Sequence, residues 1–358
     1  MCRTSGWTPS GTSTVLPPAD ESGIRRPRYR RRQIVALLTA CIVAAAVVLG
    51  AWTVVHDPSG QAHRVADARS GRTTARSGTP SSSAPTTTTT TGPAPPIRGV
   101  PVSMEEATFT DTSRPVESNG VILARTRALP TYIWSPTTGG PFPLVVFVHG
   151  YNIGPLQYQR FCSTLASSGY VVAAPSFPLE DPSRGFGLNR ADIPSEATDV
   201  SFVISSLLNE AQERMIDPEQ IAVVGHSDGA DVVLLVGYGP GHVDSRVRAV
   251  VSDAPDPMTN GVQPSDVPLL LVQGTADSVV PYSSSEEVFS QIQSPVDYVS
   301  LLGADHLPPI AGGTQWTPVL DDAVAEFLDA YVADRGPGPA ALPSQLASSS
   351  LVRLQTKD

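Results

Sequence analysis

The residues best suited to chemistry lie in the stretch 221–229, which reads Ile-Ala-Val-Val-Gly-His-Ser-Asp-Gly. Its first four residues are apolar and rich in β-branched side chains, which indicates a buried strand. Gly225 to Gly229 then fit the pattern G-x-S-x-G, which places a serine on a sharp turn between a strand and a helix. The apolar, proline-free run 230–238 supplies that helix. The pattern predicts that Ser227 is a nucleophile whose hydroxyl is exposed on this turn; the alternative is an ordinary tight turn.

A serine hydroxyl is a weak nucleophile at neutral pH and needs a neighbouring base. On a strand–turn–helix scaffold of this kind, the acid and then the histidine follow the serine along the chain. Of the six histidines, five lie far upstream, inside other motifs or too soon after the serine. His306 remains, directly behind the strand-like run 296–302. We therefore predict His306 as the general base; the alternative is a surface histidine on a loop.

The acid of such a triad should follow a strand between the serine and the histidine. The run 267–272 is a strong candidate strand, and Asp277 lies on the loop just past it, where ligands gather in open α/β sheets. A carboxylate there can hold an imidazole in the required tautomer. Asp253 and Asp256, which end the preceding strand, are the rivals. Asp305 is adjacent to the histidine in sequence, but neighbouring side chains point apart.

A triad also needs hydrogen-bond donors for the oxyanion that forms during acyl transfer. The apolar run 144–148 predicts another buried strand, and His-Gly-Tyr-Asn follows it at 149–152. In a scaffold with this strand–turn–helix elbow, the loop after the early strand supplies one donor, and the residue after the nucleophile supplies the other. We therefore predict an oxyanion hole formed by the backbone N–H groups of Tyr151 and Asp228.

Together these motifs resemble the α/β-hydrolase superfamily over residues 101–335. The chain is most similar to the branch of dienelactone hydrolases, chlorophyllase-like and platelet-activating-factor-acetylhydrolase-like proteins, and polyester-degrading cutinases. The stretch 142–151 resembles the oxyanion segment of that branch, and 129–136 resembles the strand before it. The resemblance implies an α/β fold with a mostly parallel, eight-stranded sheet flanked by helices. It also implies ester hydrolysis through an acyl-enzyme.

Two features qualify the resemblance. Many relatives carry an apolar residue or Gln after the nucleophile, whereas this chain carries Asp228. A carboxylate pointing inward would repel the oxyanion, so we expect it to point away, toward an arginine or a helix N-terminus. The connection from Asp253 to Val267 is also short. It cannot hold the separate lid that members of this superfamily insert there, so we predict an open site.

The rest of the domain alternates between candidate helices and strands. Helical patterns over 156–168, 196–212 and 323–332 separate the strand-like runs, and such alternation predicts a parallel sheet. The net charge is −10, with the acidic residues concentrated after residue 100, which argues against nucleic acid as a partner. No Cys/His cluster has metal-ligand spacing, so we predict neither a metal nor a cofactor. Cys162 is interpreted as a packed core thiol.

Residues 34–55 form a run of 22 without charge, preceded by a cluster of arginines. That length can cross a bilayer core of about 30 Å, and the arginines favour a cytoplasmic N-terminus. We therefore predict an uncleaved transmembrane helix with the catalytic domain outside the cytoplasm. The alternatives are a cleaved export signal, which would release a secreted protein, and a lipoprotein anchor at Cys41, although the apolar run continues well past that residue.

The predicted organisation has five parts. A basic cytoplasmic segment (1–33) and the transmembrane helix (34–55) are followed by a Ser/Thr/Pro-rich disordered linker (56–100). The hydrolase domain (101–335) then precedes a disordered tail (336–358).

The predicted function is that of a serine-dependent carboxylic-ester hydrolase acting outside the cytoplasm on a small-molecule or lipid-like ester. Because acyl chemistry is shared among triad enzymes, a thioesterase, a peptidase and a polyester hydrolase remain alternatives. A non-catalytic binding protein with this fold is a further alternative that would require a broken triad, and none of the three positions is broken. The oligomeric state is left open.

Overall fold

A nine-stranded sheet runs through the described residues, 94–338, 346 and 349–357 of a computed structural model. The order of strands across the sheet is β1-β4-β6-β5-β7-β8-β9-β10-β11, and β2 and β3 form a separate hairpin. The strands are β1 (Val102–Asp111), β2 (Val116–Ser118), β3 (Val121–Ala124), β4 (Arg127–Pro136), β5 (Phe142–Val148), β6 (Val171–Pro175), β7 (Ile216–His226), β8 (Val247–Asp253), β9 (Leu269–Gly274), β10 (Val296–Leu301) and β11 (Val352–Lys357).

The inner strands, from β6 to β10 in the sheet order, pair in parallel, whereas β1, β4 and β11 pair antiparallel at the two sides. The mostly parallel sheet expected from the alternation is therefore present. Parallel pairing brings the carboxyl ends of β5, β7, β9 and β10 to one edge, where the predicted functional loops follow.

Helices cover both faces of the sheet because both faces are apolar. In β5, Leu144, Val146 and Val148 belong to one buried cluster, while Val145 and Phe147 belong to the cluster on the opposite face. Such a strand is apolar throughout, as expected for a parallel sheet buried on both sides. The helices are α1 (Gln159–Ser167), α2 (Ile193–Asn209), α3 (Asp228–Tyr238), α4 (Tyr282–Gln291), α5 (Pro308–Ala311) and α6 (Thr317–Tyr331).

A buried arginine fixes the start of α2. Arg127, at the beginning of β4, is 1% exposed and donates to both carboxylate oxygens of Asp192 and of Asp199. Removing one partner of such a buried group typically costs about 3–5 kcal/mol. The contact anchors the turn Arg190–Asp192, which reaches the functional edge of the sheet.

The tail differs from the sequence-based expectation. The sequence predicts disorder over residues 336–358, yet 352–357 form β11, paired antiparallel with β10. Val352 and Leu354 rest on the apolar core and alternate with exposed Arg353. The strand thereby pairs the otherwise open edge of β10. It also makes the sheet nine-stranded rather than eight-stranded.

The described part of the chain contains no helix long and apolar enough to cross a membrane. The predicted basic N-terminal segment and transmembrane helix, and the linker up to residue 93, lie outside the described residues. The last part of the predicted disordered linker, 94–100, is instead held against the domain: Arg98 bonds Asp329 at 2.7 Å, and the N–H of Val100 donates to the carbonyl of Ser167 at 3.0 Å. Between β8 and β9 the chain forms no helix or strand, in keeping with the prediction that no lid domain is inserted there.

Candidate active site

Ser227 lies on a strained turn between β7 and α3. Its φ and ψ are 59° and −126°, a conformation that residues with a Cβ rarely adopt. The glycines on either side have no room for a side chain. A Cβ on Gly225 would lie 2.0 Å from the carbonyl oxygen of Gly229, and one on Gly229 would lie 2.2 Å from the carbonyl oxygen of Val148. Strand and helix therefore approach as closely as the G-x-S-x-G pattern predicts.

Three side chains from distant stretches meet at this turn. His306 Nε2 lies 3.0 Å from Ser227 Oγ, and His306 Nδ1 lies 2.7 Å from Asp277 Oδ2. The Asp277 side chain is fully buried, whereas that of His306 is 11% exposed. The imidazole thus connects a buried carboxylate to a hydroxyl at the surface of the site, the arrangement in which a histidine acts as general base.

Asp277 is surrounded by donors. Gln273 Nε2 donates to Oδ2 at 2.8 Å, and the backbone N–H groups of Val279 and Val280 donate to Oδ1 at 2.8 Å each. An ionised carboxylate only accepts hydrogen bonds, so all these donors suit the charged form. The loop after β9 therefore holds the carboxylate and orients it toward the imidazole.

Among the described residues, neither rival carboxylate hydrogen-bonds the His306 ring. The backbone carbonyl of Asp253 accepts the N–H of Ser227 at 2.9 Å. Its side chain is buried, and burial, with the nearby charge of Asp277 as a second cause, raises the pKa of Asp253 well above its ordinary value. Asp256 accepts a hydrogen bond from Arg190 at 3.2 Å. The structure therefore brings Asp277, rather than either rival, into contact with the imidazole.

The loop after β5 lies directly against the nucleophile. A Cβ on Gly150 would lie 2.9 Å from the Cβ of Ser227 and 3.2 Å from the carbonyl oxygen of His226. The N–H of Gly150 turns away and donates to the hydroxyl of Tyr158 at 3.4 Å. Only glycine permits this close approach of the backbone.

Both neighbours of Tyr151 on this loop donate their backbone N–H groups within the protein. The N–H of Asn152 donates to the carbonyl of Glu180 at 3.0 Å, which leaves the N–H of Tyr151 between two inward-bonded neighbours. Asp228 is the first residue of α3, and the first N–H groups of a helix have no acceptor within it. The two predicted oxyanion donors, Tyr151 and Asp228, therefore belong to the two segments that flank Ser227.

The carboxylate of Asp228 points away from the nucleophile, toward an arginine, as expected. Arg190 Nε donates to Asp228 Oδ2 at 2.6 Å, and the same guanidinium reaches Asp231 and Asp256. Burial raises the pKa of Asp228, and the Arg190 guanidinium counteracts this. Because arginine stays protonated, Arg190 supplies a counter-charge for the Asp228 carboxylate.

Two further histidines, His149 and His226, hydrogen-bond backbone groups at the site, although no such role was predicted for them from the sequence. His149 Nε2 accepts the N–H of Phe177 at 3.2 Å, so its Nδ1–H donates to the carbonyl of Gly150 at 3.0 Å. His226, the variable residue just before the nucleophile, binds the backbone carbonyl of His306 at 3.1 Å. Its position inside the G-x-S-x-G motif was the available signal, but the motif does not specify which group a side chain there contacts.

No motif or pattern in the sequence predicts the two buried glutamates that lie beside the site. Glu180 and Glu196 are both 0% exposed, and their four carboxyl oxygens have no hydrogen-bond partner among the described residues. Burial, with the charge of Asp228 as a second cause, raises the pKa of Glu180 to about 9. Burial also raises the pKa of Glu196, to which the neighbouring Glu180 contributes.

A cavity of about 390 Å³ lies beside α3 and is lined in part by Arg190. Its lining combines apolar side chains with Arg190 and two carboxylates. In the described ranges, no group of three or more His, Cys, Asp or Glu side chains is arranged to hold a metal ion. The cavity is lined by Arg190, Ala191, Ile193, Pro194, Asp231, Leu234, Leu235, Asp256, Pro257, Met258, Thr259, Asn260 and Gly261.

The family model for Chlorophyllase matches residues 104–269. The match runs from β1 to the start of β9 and includes the loop after β5 and the turn at Ser227. It ends before Asp277 and His306, so their placement in the site comes from the structure alone.

Individual relatives are similar at modest identity. Chlorophyllase type 0 of Chenopodium album is 28% identical over 137 residues, which cover 35% of this chain and 38% of the relative. The uncharacterized protein YfhR of Salmonella typhi is 24% identical over 177 residues, 40% of this chain and 59% of the relative. The chloroplastic chlorophyllase-1 of Citrus unshiu is 28% identical over 162 residues, 42% of this chain and 48% of the relative. The matches thus span between 38% and 59% of the length of these relatives, less than two thirds in each case.

Proposed function

We propose that this chain, which belongs to the α/β-hydrolase superfamily and is chlorophyllase-like, is a serine hydrolase that cleaves carboxylic esters. One observation carries the proposal: a single imidazole lies within hydrogen-bonding distance of both Ser227 Oγ and Asp277 Oδ2. The names of the chlorophyllase relatives support an ester as the substrate. The similarity does not extend to their full length, so chlorophyll itself is not part of the proposal.

In the first half-reaction Ser227 Oγ attacks the ester carbonyl while His306 Nε2 takes the hydroxyl proton. The resulting imidazolium is stabilised by the Asp277 carboxylate at Nδ1. As the tetrahedral intermediate collapses, the bond to the alcohol oxygen breaks, and His306 returns its proton to the leaving alkoxide. The products are the free alcohol and an acyl group on Ser227.

In the second half-reaction a water molecule takes the place of the alcohol. His306 removes a proton from the water as it attacks the acyl carbonyl, and then gives that proton to Ser227 Oγ as the serine leaves. The N–H groups of Tyr151 and Asp228 are proposed to bind the oxyanion in both intermediates. A single donor of this kind typically contributes about 10²–10³ in turnover.

Turnover of p-nitrophenyl acetate and butyrate by the full-length chain tests the proposal. The Ser227→Ala variant should lose at least about 10³-fold in kcat while remaining folded. Ser205→Ala is the matched control, because Ser205 is an exposed serine on α2 whose hydroxyl bonds the carbonyl of Ser201. An unchanged kcat in Ser227→Ala would remove the proposal.

The cavity along α3 is proposed to receive an apolar part of the ester. Arg190 lines it and also binds Asp228, the neighbour of the nucleophile. A series of p-nitrophenyl esters of increasing acyl length tests this idea. Met258→Trp, which fills the cavity, should lower the preference for hexanoate over acetate about 10-fold or more. Met104→Trp, at an exposed position on β1, should leave the preference unchanged.

The location of the enzyme is a separate proposal, supported by sequence alone. The uncharged run 34–55 with arginines before it favours a single-pass anchor and a catalytic domain outside the cytoplasm. A reporter enzyme that is active only outside the cytoplasm, fused after Val100, should be active. An inactive fusion, with an active cytoplasmic reporter at the same position, would reverse the orientation.

A further inference from the structure

We infer that His226 and Tyr158 are positioning residues that couple the catalytic histidine to the oxyanion loop, an inference that rests on the proposed function. Four groups form one continuous series of contacts. The carbonyl of His306 lies 3.1 Å from His226 Nε2, and His226 Nδ1 lies 3.0 Å from the hydroxyl of Tyr158. The hydroxyl in turn lies 3.4 Å from the N–H of Gly150.

The groups in this series determine which atom donates and which accepts in each hydrogen bond. A carbonyl oxygen only accepts, so Nε2 of His226 must carry the hydrogen. Burial lowers the pKa of His226 well below its ordinary value, and the neighbouring His306 contributes in the same direction, so the ring is neutral and Nδ1 accepts. Tyr158 therefore donates its O–H to His226 and uses its oxygen to accept the N–H of Gly150.

Each member of the series is held by packing as well as by hydrogen bonds. His226 and Tyr158 are each 1% exposed. The His226 ring lies between the rings of Tyr158 and His306, with centroid separations of 5.7 and 4.6 Å. Phe147 packs against the other side of the Tyr158 ring, at 4.8 Å. Neither side chain hydrogen-bonds Ser227 Oγ or a ring nitrogen of His306, so their effect must pass through the position of His306 and of Gly150.

This series of hydrogen bonds fixes two backbone positions that the contacts within the triad do not fix. His306 follows β10 on a loop, and its backbone is held from inside the protein by His226. The N–H of Gly150 is held on the Tyr158 hydroxyl, which fixes the loop directly before the proposed oxyanion donor, the N–H of Tyr151. Because small displacements of reacting groups from their productive geometry can lower rates about 10²-fold, this coupling should appear in kcat.

The test uses variants that keep the shape of each side chain. Tyr158→Phe removes only the hydroxyl, and we expect kcat for p-nitrophenyl butyrate to fall about 10–100-fold with KM within about 3-fold of the wild type. The matched control is Tyr238→Phe, since Tyr238 is equally buried and its hydroxyl donates to the carbonyl of Val267. The control should lose stability to a similar degree without losing kcat.

A second pair of variants separates positioning from folding. His226→Gln retains an N–H that can reach the carbonyl of His306, whereas His226→Phe retains a ring but no donor. The Gln variant should keep at least about 10-fold more kcat than the Phe variant. The double variant Tyr158→Phe/His226→Phe should be no slower than the slower single variant, because both substitutions break one series.

Each kcat is calculated from the concentration of active sites, measured as the amount of protein that reacts with a fluorophosphonate. Misfolded protein therefore does not enter the value. Wild-type kcat in Tyr158→Phe, equal kcat in the two His226 variants, or fully additive losses in the double variant would each overturn the inference. If the wild type itself lacks Ser227-dependent turnover, it is the proposed function that fails. The two failures are therefore distinguishable.

Discussion

Arg190 Nε lies 2.6 Å from Oδ2 of Asp228, the residue that directly follows the nucleophile. The contact places a positive charge beside a carboxylate that would otherwise stand uncompensated next to the nucleophile. The guanidinium is held by Asp231 and Asp256 as well. The site thus tolerates an acidic residue after the nucleophile because a neighbouring turn supplies its counter-ion.

Arg190→Gln should therefore lower kcat about 10-fold or more, since the uncompensated charge of Asp228 opposes negative charge in the transition state. The double variant Arg190→Gln/Asp228→Asn removes that charge and should recover most of the loss. Both are measured with p-nitrophenyl butyrate at low and high salt. Equal kcat in the single and double variants would show that Arg190 acts in some other way.

Three of the carboxylates that the sequence offers as the acid of the triad should differ sharply on conversion to amides. Asp277→Asn should lower kcat by about 10⁴-fold, because an amide in this position favours the wrong tautomer of the histidine. Asp253→Asn and Asp305→Asn should stay within about 10-fold of the wild type. Asp305 bonds the backbone N–H groups of Ser278 and His306 rather than the ring. A larger loss in Asp253→Asn than in Asp277→Asn would reassign the acid.

Adding a side chain to a glycine of the G-x-S-x-G turn should strongly lower the free energy of unfolding. Gly229→Ala forces a Cβ to within 2.2 Å of the Val148 carbonyl oxygen, so we expect the free energy of unfolding to fall by at least about 3 kcal/mol. Gly185→Ala is the control for steric contact: its φ is positive, at 74°, but nothing lies within 4 Å of an added Cβ, and it should cost about 1 kcal/mol. Urea denaturation followed by circular dichroism compares the two variants. Similar losses in both would contradict the close approach.

The buried carboxyl of Glu180 should make stability fall as the pH rises. Burial raises its pKa in the folded protein from an ordinary 4.5 to about 9. Between these values the unfolded chain releases the proton while the folded protein retains it, so the free energy of unfolding decreases with increasing pH. Glu180→Gln should remove the contribution of this one carboxyl and raise stability by about 2–4 kcal/mol at pH 8, with little change at pH 4.

The exposed Glu219 provides the control for that experiment. Glu219→Gln should change the free energy of unfolding by no more than about 0.5 kcal/mol at either pH. If Glu180→Gln has the same small effect at pH 8, then Glu180 is ionised in the folded protein and its surroundings compensate the charge.

The sequence was sufficient to predict where the triad residues would gather. Each follows an apolar run short enough to be a strand, and parallel strands deliver their carboxyl ends to one edge of a sheet. That rule brings Ser227, Asp277 and His306 together without knowledge of any contact. The orientation of Asp228 also followed from charge alone, although its partner, Arg190, did not.

The remaining features depend on contacts between distant parts of the chain. β11 has only two apolar side chains facing the core, Val352 and Leu354, and its stability comes from pairing with β10, which no local pattern encodes. The hydrogen bonds of His226 depend on how closely the loop after β10 approaches β7. The buried pair Glu180 and Glu196 arises from packing between two segments, each of which would expose a glutamate if taken alone.

The central claim is that Ser227 is the nucleophile of a working triad. The most direct measurement is the site of covalent labelling when the full-length chain reacts with a fluorophosphonate, mapped by mass spectrometry of its peptides. We expect one added phosphonyl group on Ser227, with labelling slowed at least about 10³-fold in His306→Ala. Labelling at a different serine, or labelling of Ser227 at an unchanged rate in His306→Ala, would contradict the account.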